Sequence, residues 1–361
     1  MNSDFSRDGR GPALALALML GAVICPAADN SYTVHNLVSD GTIPADHTDP
    51  RLVNAWGVSR SPSGPWWVAD NGTGYSTIYD GNGNINSLFV LVPGAPTGTV
   101  YNGGIGFVIT DGTSSGPAVF LFDSEDGTIS GWNPGVPPPA PSHQAFVAVD
   151  NSAAGAIYKG LAIASTPAGD RLYAADFHNA RIDVFDGRFQ PVVNPGAFVD
   201  PGIPAGFAPF NVQNLNGMIF VAYAKQDEAG EDEVPGPGLG FVSAFDTSGK
   251  LLARVATKGA LNAPWGMTIA PQGFGAFSGK LLVGNFGDGR INAYGLTAAD
   301  RSSVGSALGH LETADHQPVV IDGLWGIDFG NGSGAGPTTT LYFAAGPDGE
   351  THGLFGSIIA N

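Results

Sequence analysis

The feature that most constrains the fold is a short hairpin unit that recurs along the chain. Residues 172–186, Leu-Tyr-Ala-Ala-Asp-Phe-His-Asn-Ala-Arg-Ile-Asp-Val-Phe-Asp, show it most clearly. Leu172 to Ala175 is an apolar strand. Asp176 to Asn179 supplies turn-forming polar side chains, and from Arg181 to Phe185 the alternation puts Ile182 and Val184 on one face. Asp186 with Gly187 opens the next turn.

The same order of parts returns around Asn54-Ala55-Trp56-Gly57, Thr97-Gly98, Lys159-Gly160, Phe210-Asn211, Pro264-Trp265-Gly266 and Leu324-Trp325-Gly326. Taking Gly57, Gly98, Gly160, Asn211, Gly266 and Gly326 as markers, the spacing falls near the roughly 40 to 50 residues of a four-stranded propeller blade. No segment holds a helical period, which disfavours a βαβ fold. The expected architecture is therefore all-β, a six-bladed β-propeller forming a single domain over residues 29–361. The sixth unit runs out after three strands at Ile359 while Tyr32 to Val38 has no unit of its own, so the N-terminal strand is expected to complete the last blade and remove its open edge. The glycines beside Trp56, Trp265 and Trp325 fit a crowded axis where backbones approach closely, and the tryptophans supply large apolar area.

Composition agrees. Of 361 residues 43% are hydrophobic and 13% charged, with 54 Gly and 27 Pro. That combination means many tight turns between short buried segments rather than disorder. The formal net charge of −17 argues against nucleic acid as a partner, because its phosphates would be repelled. An acidic surface suits solubility or cation binding.

Residues 1–28 have the form of a signal peptide: Arg7 and Arg10, an apolar run from Gly11 to Ile24, then small residues at Ala27 and Ala28. The run is about 14 residues, short for a bilayer span. Export to the periplasm, cell surface or medium is the expectation, with a monomeric mature chain that has no transmembrane segment. Ile24 before Cys25 argues against a lipid anchor there. Once Cys25 is removed the chain has no thiol, hence no disulfide and no cysteine-bound metal.

Ala175-Asp176-Phe177-His178-Asn179-Ala180-Arg181-Ile182-Asp183-Val184-Phe185-Asp186 closely resembles the NHL repeat, and Asn285-Phe286-Gly287-Asp288-Gly289-Arg290-Ile291 is a second match. The second and fourth units depart from that pattern. Almost everything after residue 31 also resembles a family of exported bacterial NHL-like six-bladed propeller proteins. The matching features include His47-Thr48-Asp49-Pro50, Glu125 to Trp132, Tyr223 to Asp227, Gly284 to Gly289 and His352 to Ser357. The resemblance implies a six-bladed propeller and no particular activity.

In a propeller, the loop between the second and third strands of each blade emerges on the same face as the loop leading into each inner strand. That places a candidate ligand-binding rim at one end of the channel: Asp70, Asn71, Asp126, Asp176, His178, Asn179, Lys225, Gln226, Asn285, Asp288, Glu350 and His352. Asn54, Lys159, Asn211, Asn262 and Asp322 would border the same mouth. Asp and Asn also close tight turns routinely, and pairs such as Asp176 with Arg181 or Asn285 with Arg290 offer locks between blades. The acidic run Asp227 to Glu233 lacks the alternation of a calcium loop and reads as a solvated loop.

Two functions compete. One is a binding scaffold that takes a protein, glycan or small ligand at the rim. The other, implied by enzymes among propellers related to NHL, is a metal-dependent hydrolase or lactonase. It would use calcium or another divalent cation near Asp176 and Asn285, with Asp176 or Glu350 as general base.

Overall fold

The computed structural model describes residues 29–296 and 307–361; the signal-like segment with Cys25 lies outside the described residues. Alternation along the strands explains the architecture. In Phe120-Leu121-Phe122, Leu121 enters the core shared with the third blade, while Phe120 and Phe122 enter the core shared with the first. In Phe220-Val221-Ala222-Tyr223 the odd and even residues likewise serve two different cores. A strand that is buried on both faces reads as a continuous apolar run, and the sheets must then stack face to face.

Six sheets result. Blade 1 runs outward through Ala55–Arg60, Trp66–Asp70, Tyr75–Tyr79 and Val90–Leu91. Blade 2 comprises Pro96–Tyr101, Phe120–Ser124, Thr128–Trp132 and Phe146–Asp150, and blade 3 comprises Tyr158–Thr166, Gly169–Asp176 and Arg181–Asp186. Blade 4 holds Phe207–Leu215, Met218–Lys225, Gly240–Phe245 and Leu251–Thr257; blade 5 holds Pro264–Ile269, Leu281–Asn285, Ile291–Tyr294 and Ala307–His310. In blade 6, Leu324–Phe329, Leu341–Ala345 and Leu354–Ala360 are completed by Tyr32–Ser39. That strand pairs antiparallel with Leu354–Ala360, from Tyr32 opposite Ala360 to Ser39 opposite Leu354, so the first and last described strands close the ring as expected.

Each inner strand contacts that of the next blade, and the sixth contacts the first. Six apolar cores lie between blades, and a seventh, built on Trp56, Phe177, Phe210, Trp265 and Trp325, fills the hub. The helical content among the described residues is short turns, consistent with the absence of a helical period.

The outer strands depart from expectation. Phe146–Asp150, Leu251–Thr257 and Ala307–His310 are not evident in the sequence pattern, and of the run Ser87 to Val92 only Val90–Leu91 is strand. These strands are largely half exposed and carry neither the glycine marker nor the polar turn that flags the inner strands, so apolar residues such as Phe146 to Val149 and Leu251 to Ala253 do not announce a blade position. The small hairpin Val108–Thr110 with Ser115–Pro117 also has too few buried residues to be read in advance.

At the hub the marker positions form a ring of close approaches. A Cβ on Gly57 would stand 2.5 Å from the Thr97 carbonyl oxygen, one on Gly98 2.3 Å from Leu161 N, and one on Gly160 2.2 Å from Asn211 Oδ1. One on Gly266 would meet Trp325 O at 2.4 Å, and one on Gly326 would meet Trp56 O at 2.5 Å. Blade 4 has Asn211 in place of glycine, and its amide donates to Trp265 O at 2.8 Å, bridging to blade 5. The pairing of inner with second strand shifts register beside these residues, a bulge that frees the dipeptide from the ladder and pushes it toward the axis.

Replacing Gly266 by Ala forces a methyl group into backbone and should lower unfolding stability by about 1–3 kcal/mol. Gly187→Ala, where the added carbon would meet only Gly106 Cα at 3.8 Å, should change it by less than about 0.5 kcal/mol. Urea unfolding of both variants checks this, and equal midpoints would refute the crowding argument.

Candidate functional site

Six equivalent backbone bonds bring the second-to-third strand loops and the lead-in loops to one face. They are Asn71 N to Asn54 O, Glu125 N to Ala95 O, Phe177 N to Ile157 O, Gln226 N to Gly206 O, Phe286 N to Ala263 O, and Gly346 N to Gly323 O. Inside that ring of loops sits the hub. The residue preceding each marker is Trp56, Thr97, Lys159, Phe210, Trp265 or Trp325; the four aromatic ones share the hub cluster and Lys159 lies over Trp56. Trp56 and Trp325 stack with centroids 3.5 Å apart, and Trp265 stands edge-on to both at 6.1 and 5.8 Å. Phe286, partly exposed, stacks on Trp325 at 4.1 Å. The hub is thus an aromatic plug rather than an open pore.

Lys159 is the exception among these positions. Its side chain is 2% exposed, and Nζ lies 5.4 Å from the Trp56 ring centroid. A buried ammonium needs counter-charge. Glu125 Oε1 takes it at 2.6 Å and Asp232 Oδ1 at 3.1 Å, from blades 2 and 4. Burial by itself would lower the Lys159 pKa, but the charges of Glu125, Glu233 and Asp232 outweigh it and hold the ammonium above its ordinary range.

An amide relay extends the cluster. Asn71 Nδ2 donates to Glu125 Oε2 at 2.8 Å, Asn54 Nδ2 donates to Asn71 Oδ1 at 3.1 Å and Glu350 Oε2 at 2.7 Å, and Trp325 Nε1 donates to Asn54 Oδ1 at 3.2 Å. Trp265 Nε1 donates to the Lys159 carbonyl at 2.8 Å, whereas the buried Trp56 Nε1 has no acceptor among the described residues. Burial pushes the Glu233 carboxyl up to about 7 despite Lys159, and burial with repulsion from Glu125 raises that of Glu350 despite the bond from Asn54. The basin holds four carboxylates, Glu125, Asp232, Glu233 and Glu350, against one ammonium. Its backbone is strained: Asp348, Gly349 and Glu350 are successive left-handed residues at φ 56°, 62° and 67°, and Asn54 and Ala263 also have positive φ.

The rim residues expected from the sequence divide into two groups. Asn71 and Glu350 belong to the basin. Asp70, Asp176 and Asn285 are fully buried at the ends of second strands, and among the described residues Asp70 Oδ1 and Asn285 Oδ1 have no hydrogen-bond partner. Asp70 Oδ2 accepts from Thr77 N; Asp176 accepts from Ile157 N and from the backbone and amide of Asn179; Asn285 Nδ2 donates to Ala260 O and to Asp288 Oδ1. Asp126 binds Thr128, and Gln226 Nε2 ties its loop to Phe177 O. His352 Nδ1 meets Asp40 Oδ2 at 2.6 Å, fastening the last loop to the N-terminal strand, while His178 and Lys225 are exposed.

Asp176 and Asn285 lie in separate blades, and among the described residues no group of three or more His, Asp or Glu is spaced to hold a metal ion. Asp176 pairs with Arg181 inside blade 3, at 3.2 Å, not between blades, because the two are ladder partners.

The sequence pattern brings the Asp123 to Asp126 loop, and with it Glu125, to the rim without singling Glu125 out, and reads Asp232 and Glu233 as solvent-facing. The signal that points to them is Lys159 itself, a charge at the position where other blades carry Trp, Thr or Phe.

Asp123, at the same strand end in blade 2, is fully buried. Its Oδ1 accepts from Thr97 Oγ1 and Gly98 N, its Oδ2 has no donor, and burial raises its carboxyl to about 7. No family model matches the sequence. The chain is 34% identical over 349 residues to uncharacterized protein L690 of Acanthamoeba polyphaga mimivirus, spanning 91% of this chain and 86% of the relative. Uncharacterized protein R648 of the same virus is 34% identical over 349 residues, spanning 92% and 81%. A structural genomics protein of unknown function from Bacteroides thetaiotaomicron superposes with a TM-score of 0.55 at 10% identity, covering 91% of this chain and 76% of that one. Its likeness is one of fold.

Two outcomes are expected from the geometry. Lys159→Met leaves Glu125 facing Glu350 and Glu233 without their cation and should cost about 3 kcal/mol at pH 7, less at pH 5 where the carboxyls take up protons; denaturant titrations at both pH values test it. Asp123 keeps its proton in the folded state after the unfolded chain has released it, so its stabilising effect is full below about pH 4 and is lost as pH rises toward 7. Asp123→Asn should flatten the fall in Tm across that window, and a Tm profile parallel to that of the unaltered protein would reject the assignment.

Proposed function

We propose, for a chain that belongs to one family with mimivirus proteins L690 and R648, that it is an exported binding propeller whose hub mouth takes a positively charged group of a small ligand or peptide. The observation that carries this reading is the basin itself. Loops of blades 2, 4 and 6 bring four carboxylates around one buried ammonium at the mouth where Phe286 stacks on Trp325, leaving an excess of negative charge in a partly dehydrated site. A cation placed there would gain both carboxylate contacts and an aromatic face. The overall charge of −17 would draw cations toward it, and the signal-like pattern of residues 1–28 supports export. The left-handed run at 348–350 fits a loop held in place for binding, since such backbone is retained where surrounding structure enforces it.

Calorimetric titration with arginine methyl ester tests the proposal, with acetate as the anionic control. Binding should be tighter at pH 8 than at pH 6, because Glu233 gains its charge near 7. Glu350→Gln should weaken it about 5- to 10-fold, which is about 1–1.4 kcal/mol. Equal affinity in the Glu350→Gln and Glu233→Gln variants, or a preference for acetate, would rule the reading out.

A further inference from the structure

The face opposite the basin holds a second mouth of the central channel. A cavity of about 320 Å³ is walled there by Arg60 at the end of the inner strand of blade 1, Asn214 to Asn216 in blade 4, Thr268 in blade 5 and Asp328 in blade 6. Blades 1 and 4 stand across the ring from each other in a circle of six, so a space that both of them line lies on the axis. The sequence marks the same sector. Two residues past the hub marker stand Ser59, Gln213, Thr268 and Asp328 in blades 1, 4, 5 and 6, where blades 2 and 3 carry Val100 and Ala162. Polar side chains thus recur at this height in the four blades that line the cavity.

Two charged groups in this mouth are fixed in place and only partly used. Arg60 Nε donates to Phe329 O at 2.6 Å and the guanidinium lies over Trp66, 5.3 Å from the ring centroid, which anchors it between blades 1 and 6. Its Nη2 is 3.5 Å from Asp328 Oδ2, long for a hydrogen bond, and among the described residues Nη1 has no acceptor. Asp328 Oδ1 is occupied, accepting from Thr268 Oγ1 at 3.1 Å and from Phe329 N at 2.8 Å, while Oδ2 meets only Arg60. The Asp328 side chain is 38% exposed, yet desolvation raises its carboxyl above the ordinary range against the pull of Arg60. One positive and one negative group leave this mouth without net charge, unlike the basin. A charged ligand would have to compete with one member of the pair for the other, whereas an uncharged ligand with donor and acceptor side by side adds a bond to each.

We propose that this second mouth binds a monosaccharide, an uncharged ring that carries a vicinal diol. One hydroxyl oxygen accepts from Arg60 Nη1, the neighbouring hydroxyl donates to Asp328 Oδ2, and the C–H face of the ring lies against Ile269 and Pro271. Guanidinium and carboxylate side by side match two adjacent oxygens better than a single one. The cavity is at the lower end of the sizes that hold small ligands, so the occupant is one sugar ring rather than a chain. Because the pair is anchored on the inner strands before any ligand arrives, binding orders little of the protein. The aromatic hub separates this site from the basin, and neither depends on the occupant of the other.

The test uses the whole protein and calorimetric titration with D-glucose, D-galactose, D-mannose and D-xylose, backed by saturation-transfer NMR. At least one sugar should bind with a Kd of about 1 mM or tighter, and cyclohexanol, which has a ring but no diol, should not bind. Asp328→Asn and Arg60→Gln should each weaken the bound sugar at least about 10-fold. Because both residues also tie blade 6 to its neighbours, Thr338→Trp supplies an independent check: it places a large ring at an exposed position on the cavity wall and should block binding with Tm unchanged. Absence of binding by all four sugars, undiminished affinity in Asp328→Asn, or protonated D-glucosamine binding more than about 5-fold tighter than D-glucose would each overturn the proposal. So would binding that survives Thr338→Trp and is lost in Glu350→Gln, which would put the sugar in the basin.

Discussion

The structure depends on the contact between backbones at the hub. Six inner strands meet so closely that five of the six marker positions have no room for a Cβ, and the sixth uses the Asn211 amide to reach its neighbour. Close packing of this kind fixes the angle between successive blades, and with it the number that complete a turn. Everything above it inherits that geometry: the loops can form equivalent bonds in every blade only because the inner strands present the same bulged dipeptide at the same height.

The hub also decides where charge can go. Three tryptophans and Phe210 fill the axis with apolar surface, and the one ammonium admitted there, Lys159, must be neutralised from above. Its partners come from strands far apart in the chain. Glu125, Asp232 and Glu350 converge through loops of blades 2, 4 and 6, and Asn54 and Asn71 join them into one hydrogen-bonded set. A buried ion pair of this type contributes less to stability than its short distances suggest, because desolvation opposes it. Retaining it in place of another aromatic is what makes the mouth a candidate site. The same burial that constrains Lys159 also holds protons on Asp123 and Glu233 near neutrality.

Edges are the second concern of any ring of small sheets. Blade 6 is sealed by the pairing of the first described strand with the last, reinforced by His352 with Asp40 and a short parallel strand, His47–Thr48. Blade 3 has no fourth strand, and residues 190–192 of the strap that leads to blade 4 lie along Val184 to Asp186 in its place. The contrast between a seam sealed by a strand and one covered by a strap arises within a single repeating plan, from the length and course of the chain after the third strand.

The repeat, the six units, the closing strand and the glycines at the axis were all legible in the sequence, because each is a local pattern: alternation over a few residues, a turn, a glycine beside a tryptophan. The outer strands were not, since a strand such as Leu251–Thr257, though largely apolar, lacks the glycine marker and turn residues that define the unit. Nor could the sequence divide the rim. Asp70, Asp176 and Asn71 look alike as turn residues, and only the folded chain shows Asp176 held by Asn179 of its own turn and Asp70 turned to Thr77 of the next strand while Asn71 reaches Glu125. Local chemistry determined which elements form and how many blades they make. Tertiary structure alone decided which polar groups share a basin, because a charge cluster depends on distances between residues up to some 300 positions apart, and those distances are set by ring closure.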